Sequence, residues 1–317
     1  MPKLSNVYIS SSILKYPLQS CLFFDNIGLM ITSKTLTDLK LDFVRNLENT
    51  GRASATILAY RKDLEQLIEY LEKQGKNTIE PIRPLDIEAF RDSLRSQNYT
   101  DKSVSRKLNA VKTFFGWLVT QKILENDPAA PVAHPRYENP PPRILTRMEY
   151  RALRDAARGD LRISAIIESM LQTGIRIGEV SNLRLEDVQG DKILIKAYES
   201  QPDREIPLND PAKQALHQYL AIRPKAQTSH VFVTKTGRPL LVRNIRSAID
   251  RYFKEAGIED AKVNDMRNTF IAHQLKSGVD IVTVSKIAGH RRLSTTEHYL
   301  QFVERKESRR GAKLDEL

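Results

Sequence analysis

Two arginines, a histidine and a tyrosine, spread over more than a hundred residues, have the makings of one reaction. In "TGIRIGEVSNLRLEDV", Arg176 follows Thr173 and Gly174 and precedes Glu179. In "NDMRNTFIAHQLKSG", Asn264 and Arg267 stand three apart and so share one helical face. "IAGHRRLSTTEHYL" leads from His290 to Tyr299 through an S-x-x-E pattern, which predicts a helix capped at Ser294 with Tyr299 early in its second turn. A tyrosine hydroxyl, with a reference pKa of about 10, is a weak nucleophile and must lose its proton to a base or a hydrogen-bond network during attack. Two arginines can fork onto non-bridging phosphate oxygens and stabilise the charge that builds up as a phosphodiester is attacked. A lysine can protonate the departing sugar oxygen. This chemistry calls for no metal and no other cofactor.

Composition agrees with a polyanionic partner. The 317 residues carry 50 Lys and Arg against 39 Asp and Glu, a formal net charge of +11, which favours nucleic acid through counterion release. A 40% hydrophobic content and this length suit two folded domains. A single cysteine, Cys21, leaves no intramolecular disulfide framework or Cys-rich zinc site and points to a reducing cytoplasm. The apolar patch "ILKYPLQSCLFF" is too short and too polar to span a bilayer, and it lacks a signal-peptide cleavage pattern.

The elements that must position these residues fall into two groups. Residues 1–34 read as an arm or upstream extension. From residue 35 to 124, apolar residues at helical spacing predict four helices: Leu36 to Leu47, Ile57 to Leu71 ending before Gly75, a third opened by Pro84, and Val104 to Leu118. Phe114, Phe115 and Trp117 are expected in the core rather than against bases. Residues 125–143, "ENDPAAPVAHPRYENPPPR", read as a proline-rich linker that contains His134. Its length would let the flanking domains grip opposite faces of one duplex. In residues 144–317, "LTRMEYRALRDAA" and "LRISAIIESMLQTG" predict helices. "KILIKAYESQPDREIPL" predicts a hairpin with Ile193, Ile195, Ile206 and Leu208 on its strands, "VFVTKTGRPL" an edge strand, and helices resume at Val242. The fold class is mainly α: a helical N-terminal domain, then an α-rich domain with a small antiparallel β-sheet.

The two arginine segments, the Gly289-His290 pair and the spacing to Tyr299 resemble the tyrosine recombinases of the lambda-integrase and Xer type, over roughly residues 35–305. The resemblance implies a SAM-like core-binding domain followed by a catalytic domain. It also implies cutting and rejoining of double-stranded DNA recombination sites through a phosphotyrosyl intermediate, and a tetramer around two sites. Arg176 and Arg267 become the phosphate clamp, His290 a hydrogen-bond donor, Tyr299 the nucleophile, and Glu179 a residue that orients the site. The tail "FVERKESRRGAKLDEL" becomes a candidate contact to a neighbouring protomer.

Two departures stand out. The family usually carries histidine where this chain has Asn264, and often again where it has Asn268, and an amide can hold a phosphate oxygen but cannot act as a general base. The family's hairpin lysine matches Lys196, whereas alignment on "REIPL" places Glu199 there instead. These departures motivate an alternative, a catalytically impaired DNA-binding protein with the same fold. A nicking and relaxing enzyme of the type IB topoisomerase kind would share the chemistry.

Overall fold

The computed structural model describes residues 34–138, 140–197 and 203–302, and the chain divides between residues 138 and 139 into two compact units. The arm expected at the N-terminus, the hairpin turn at Glu199 and Pro202, and the C-terminal tail lie outside the described residues. Among the described residues, no helix is long and apolar enough to cross a membrane.

The first unit consists of helices α1 (Leu36–Asn49), α2 (Ser54–Glu72), α3 (Pro84–Ser96) and α4 (Asp101–Thr120). Thr35 and Asp38 form a reciprocal capping box at the start of α1, at 3.1 and 3.2 Å, and Pro84 occupies the first turn of α3, where its missing N–H costs nothing. The apolar stripes of the four helices meet in a core containing Phe43, Leu64, Phe90, Phe114 and Phe115, and Trp117 packs its ring against Phe43 and Phe114. The stretch read from sequence as a linker is not uniformly free chain. Ala129 and Val132 are buried in the first core, Asp127 accepts the Ala129 N–H at 2.7 Å, and His134 bonds Ser105 at 3.1 Å. Proline stops the helix there but does not stop the small apolar residues between prolines from finding a core. Farther on, Arg143 pairs with Glu149 at 2.6 Å and thereby belongs to the second unit.

The second unit contains α5 (Arg147–Ala156), α6 (Leu161–Thr173), α7 (Ile177–Asn182), α8 (Asp210–Ile222), α9 (Val242–Glu255), α10 (Val263–Lys276), α11 (Ile281–Ala288) and the single turn α12 (Ser294–Glu297). Strands β1 (Val188–Gln189), β2 (Lys192–Ile195) and β3 (Arg204–Pro207) form an antiparallel sheet in the order β1-β2-β3, with Ile193 opposite both Val188 and Ile206. Alternation turns Ile193, Ile195 and Ile206 into the core.

Three details differ from the sequence reading. Leu208 is buried but follows the strand, because Pro207 ends the ladder and the Leu208 N–H turns to the Asp191 carbonyl at 2.7 Å. "VFVTKTGRPL" is no sheet strand: Val231, Phe232 and Val233 are buried, yet Val233 makes only an isolated bridge to Pro239, and the third strand is Val188–Gln189. The Ser294 cap is absent. Carbonyls of Arg292 and Leu293 accept the N–H groups of Thr295, Thr296 and Glu297, so Ser294 is already inside the turn. The helix is only one turn long, and Tyr299 follows it, just before a 3₁₀ turn at Leu300–Phe302.

Candidate active site

The site is built around the C-terminal end of α11. A helix leaves its last carbonyls without internal partners and concentrates negative potential there. Gly289 ends α11 in the left-handed conformation at φ +64°, which turns the chain away and leaves the carbonyls of Ile287, Ala288 and Gly289 pointing outward. Three arginines from separate segments take them. Arg204, at the start of β3, donates through Nε to Ile287 at 2.8 Å. Arg176, just ahead of α7, donates to Ala288 at 3.0 Å and to Gly289 at 2.8 Å. Arg267, on α10, donates to Ala288 at 2.5 Å and also to the Gly174 carbonyl at the end of α6. Both glycines are needed for this close approach. A Cβ on Gly289 would lie 2.9 Å from the Arg204 guanidinium carbon, and one on Gly174 would strike the Phe270 ring.

One buried carboxylate organises the cluster. Glu179 accepts both Nη atoms of Arg204, at 2.8 and 2.7 Å, together with the Arg176 backbone N–H at 2.9 Å and its Nη1 at 3.2 Å. Burial opposes the Glu179 charge, but Arg204 and Arg176 together outweigh it and hold the carboxyl below its ordinary range. Two guanidinium groups, Arg204 and Arg176, therefore share this carboxylate, and the third, Arg267, rests on backbone carbonyls alone. Burial and then the neighbouring Arg176 charge pull Arg267 below the usual arginine range, and burial does the same to Arg176. Placing an anion between them would relieve both effects. Arg176 keeps 29% of its side chain exposed and offers the open face of the cluster.

Tyr299 is buried beside these charges. Burial raises its pKa, and the positive charges of Arg267 and Arg176 act against that rise. Its hydroxyl donates to Asn268 Oδ1 at 2.8 Å. The His290 ring stacks on the Tyr299 ring at 6.3 Å between centroids, and His290 Nδ1 lies 2.7 Å from the buried hydroxyl of Thr296. Burial first, then Arg267, Arg176 and Arg204, push the His290 pKa down to about 4, so the free imidazole is neutral at neutral pH. In the tautomer where the Thr296 hydroxyl donates to Nδ1, the ring's proton resides on Nε2, where it is available as a donor.

The structure thus gathers Arg176, Arg267, His290 and Tyr299. Asn264 is joined to them indirectly: its amide donates to Asn268 Oδ1 at 3.2 Å. Lys196 is engaged elsewhere, with Asp187 at 2.9 Å and Glu186 at 3.7 Å, and 63% of its side chain is exposed. Arg204 and Thr296 are the site neighbours that the sequence reading did not name, and Asn268 was named there only as a departure from the family's histidine, not as a partner of Tyr299. The signal for Asn268 was present, one turn beyond Asn264 on the same helix face. Thr296 was hidden inside the misread cap, and the contact of Arg204 with Glu179 spans 25 residues that no local periodicity connects.

Comparison with known proteins agrees with the geometry. Residues 143–305 match the Phage integrase family, and residues 42–122 match the Phage integrase, N-terminal SAM-like domain. The chain is 31% identical over 278 residues to Tyrosine recombinase XerC of Staphylococcus haemolyticus (strain JCSC1435), covering 83% of this chain and 92% of that protein. It is 30% identical to Tyrosine recombinase XerC of Roseiflexus castenholzii (strain DSM 13941 / HLO8), covering 81% and 86%. In fold it is similar to a lambda integrase tetramer bound to a Holliday junction, with a TM-score of 0.69 at 17% identity over 89% of this chain and 83% of that one. The chain belongs to the phage integrase family and is a tyrosine recombinase.

Proposed function

We propose that this protein cuts and rejoins double-stranded DNA at specific sites, with Tyr299 as the nucleophile. Its Oη attacks the scissile phosphorus, the P–O5′ bond breaks, and the DNA is held as a 3′-phosphotyrosyl ester while the 5′-hydroxyl departs. Attack by the 5′-hydroxyl of a second strand reverses the step and releases the tyrosine, so the energy of the phosphodiester is conserved and no nucleotide cofactor is consumed. Arg176 and Arg267 hold the non-bridging oxygens, and His290 Nε2–H adds a third donor whose value rises as the phosphorane gains charge. Asn264 acts through Asn268 in this reading. Lys196 supplies the proton to the 5′-oxygen by exchanging its present carboxylate partners, chiefly Asp187, for DNA.

The observation that carries the reading is the convergence of Tyr299 with the two arginines that act on its ionisation and the histidine stacked against it. The basic first unit would contribute DNA contacts, and four protomers would assemble on two recombination sites in the cytoplasm. A nicked suicide duplex carrying the native site tests the chemistry. The wild-type protein should form a band on a denaturing gel that links protein to DNA. Tyr299→Phe should form none while keeping its DNA affinity within about twofold, since only a hydroxyl is lost. Failure of the wild-type protein to form the band would leave a DNA-binding protein with this fold, and a band from the Phe variant would assign the nucleophile elsewhere.

A further inference from the structure

We infer that Asn268 is a positioning residue that fixes which way the Tyr299 hydroxyl points, and that Asp265 fixes Asn268 in turn; this rests on Tyr299 being the nucleophile. The Asn268 amide is pinned by three neighbours. Its Nδ2 donates to Asp265 Oδ1 at 3.2 Å, while its Oδ1 accepts from Tyr299 at 2.8 Å and from Asn264 Nδ2 at 3.2 Å. Asp265 is itself anchored, because its other oxygen accepts the Lys262 N–H at 2.7 Å as part of the α10 cap. An ionised carboxylate only accepts, so the amide must turn its NH₂ toward Asp265. Reversing the amide would set a carbonyl against that carboxylate. The carbonyl oxygen therefore faces Tyr299, and the phenol has to be the donor.

The orientation matters for attack. With its proton committed to Asn268, the phenolic oxygen keeps its lone pairs for phosphorus, and the hydroxyl is held in place before DNA arrives. A reversed amide would present N–H to the same oxygen, occupy a lone pair and free the phenol proton to rotate toward the incoming phosphate. Asn268 is buried on α10, one residue after Arg267, so a single helix sets both the clamp and the nucleophile's orientation. Asn268 cannot take the proton away. Its task is to hold the hydroxyl by an acceptor that does not change charge with pH.

Two substitutions on the full-length protein separate this role from simple packing, each measured as the rate of covalent adduct on the suicide duplex from pH 5 to pH 9. Asn268→Leu keeps the bulk and removes the acceptor; adduct formation should slow by about tenfold to a hundredfold at every pH, with DNA affinity little changed. Asn268→His replaces the amide with an acceptor that titrates, between the Asp265 carboxylate and the Arg267 and Arg176 guanidinium groups. It should recover much of the rate at high pH and lose it as the pH falls, because an imidazolium has no lone pair for the phenol proton. A Leu variant within twofold of wild type would overturn the proposal, as would a His variant with the wild-type pH profile or with the slow Leu rate throughout. Should the Leu variant fail to bind DNA, the His profile decides alone. Tyr299→Phe, run in parallel, separates the two readings: an adduct from it removes the nucleophile assignment, whereas its loss beside an unaffected Leu variant removes only the role of Asn268.

Discussion

In the first unit, Asp63 is buried on α2 with Arg106 at 2.9 Å and Lys107 at 3.0 Å on its carboxylate, two cations closing on one acid. In the second unit, Glu179 is buried with Arg204 and Arg176, but a third guanidinium, Arg267, is added, and all three also rest on helix-end carbonyls. Arg106 is half exposed and can reach water, so the first cluster is close to self-sufficient. The second sets three guanidinium groups against one carboxylate and makes up the difference with helix-end dipoles, which orders the groups without fully neutralising them. Buried charge in the first unit serves the fold, and in the second, under the proposed function, it is kept for an anion.

The largest effect comes from breaking the second cluster at its most buried pair. Arg204→Met keeps the side-chain stem but leaves Glu179 with only Arg176, and removing one partner of a buried pair costs about 3–5 kcal/mol. Asp63→Leu in the first unit should cost less, about 1–3 kcal/mol, since Arg106 already reaches water and Lys107 can extend toward it. Trp117 is the only tryptophan and lies in the first unit, so its fluorescence during urea unfolding follows that unit alone, while far-ultraviolet circular dichroism follows both. Arg204→Met should shift part of the dichroism transition and leave the Trp117 transition in place; Asp63→Leu should shift the Trp117 transition together with the part of the dichroism change that belongs to the first unit. If Arg204→Met moves neither curve, the Glu179 pairing is not structural.

Next in size is a catalytic effect that the first cluster has no means to show. Arg176→Lys preserves charge but cannot reproduce the paired contacts to Ala288 and Gly289 or fork onto a phosphate. Covalent adduct formation should fall by about a hundredfold or more, with DNA affinity falling by no more than a few fold. Equal losses in both would make Arg176 a DNA contact and nothing else.

How much of this was legible in the sequence follows the same division. Helical periodicity and the Pro84 start were enough to outline the first unit, because its core is made by residues three and four apart. The β2–β3 pairing was equally open, through alternating isoleucines. The candidate site residues were readable as residue types in order, but not as geometry: the contacts of Arg204 with Glu179, of Asn268 with Tyr299 and of Thr296 with His290 are side-chain bonds that no local periodicity announces. The short α12 was misread because an S-x-x-E pattern says what a cap would look like, while the backbone carbonyls of Arg292 and Leu293 had already taken the N–H groups it would serve. Buried proline-rich chain was missed for a related reason, since composition reports the absence of helix and not the presence of contacts.

The smallest expected effect is also the sharpest test of charge held in reserve. His290 has an ordinary pKa of 6.5 and is pushed down to about 4 by burial and by the three arginines. Between those values the unfolded chain binds a proton at this position that the folded site refuses, so folding stability declines as pH falls from about 6.5 toward about 4 and is unaffected by His290 above that window. Glu179, held below its ordinary range, adds to the acid loss, and Asp265, raised by burial, opposes it. The His290 share is therefore read as a difference: wild type minus His290→Asn in thermal midpoint should be flat above about pH 6.5 and fall toward pH 4. Because the ring is partly open to solvent, the slope should be shallow. DNA adds the decisive arm. A phosphate seated on Arg176 and Arg267 offsets two of the three charges that repel the imidazolium, so the ring resonances of His290 should titrate at higher pH in the complex with uncleaved DNA than in the free protein. An unchanged titration would place the phosphate away from this cluster and return the arginines to a purely structural role like that of Arg106 and Lys107.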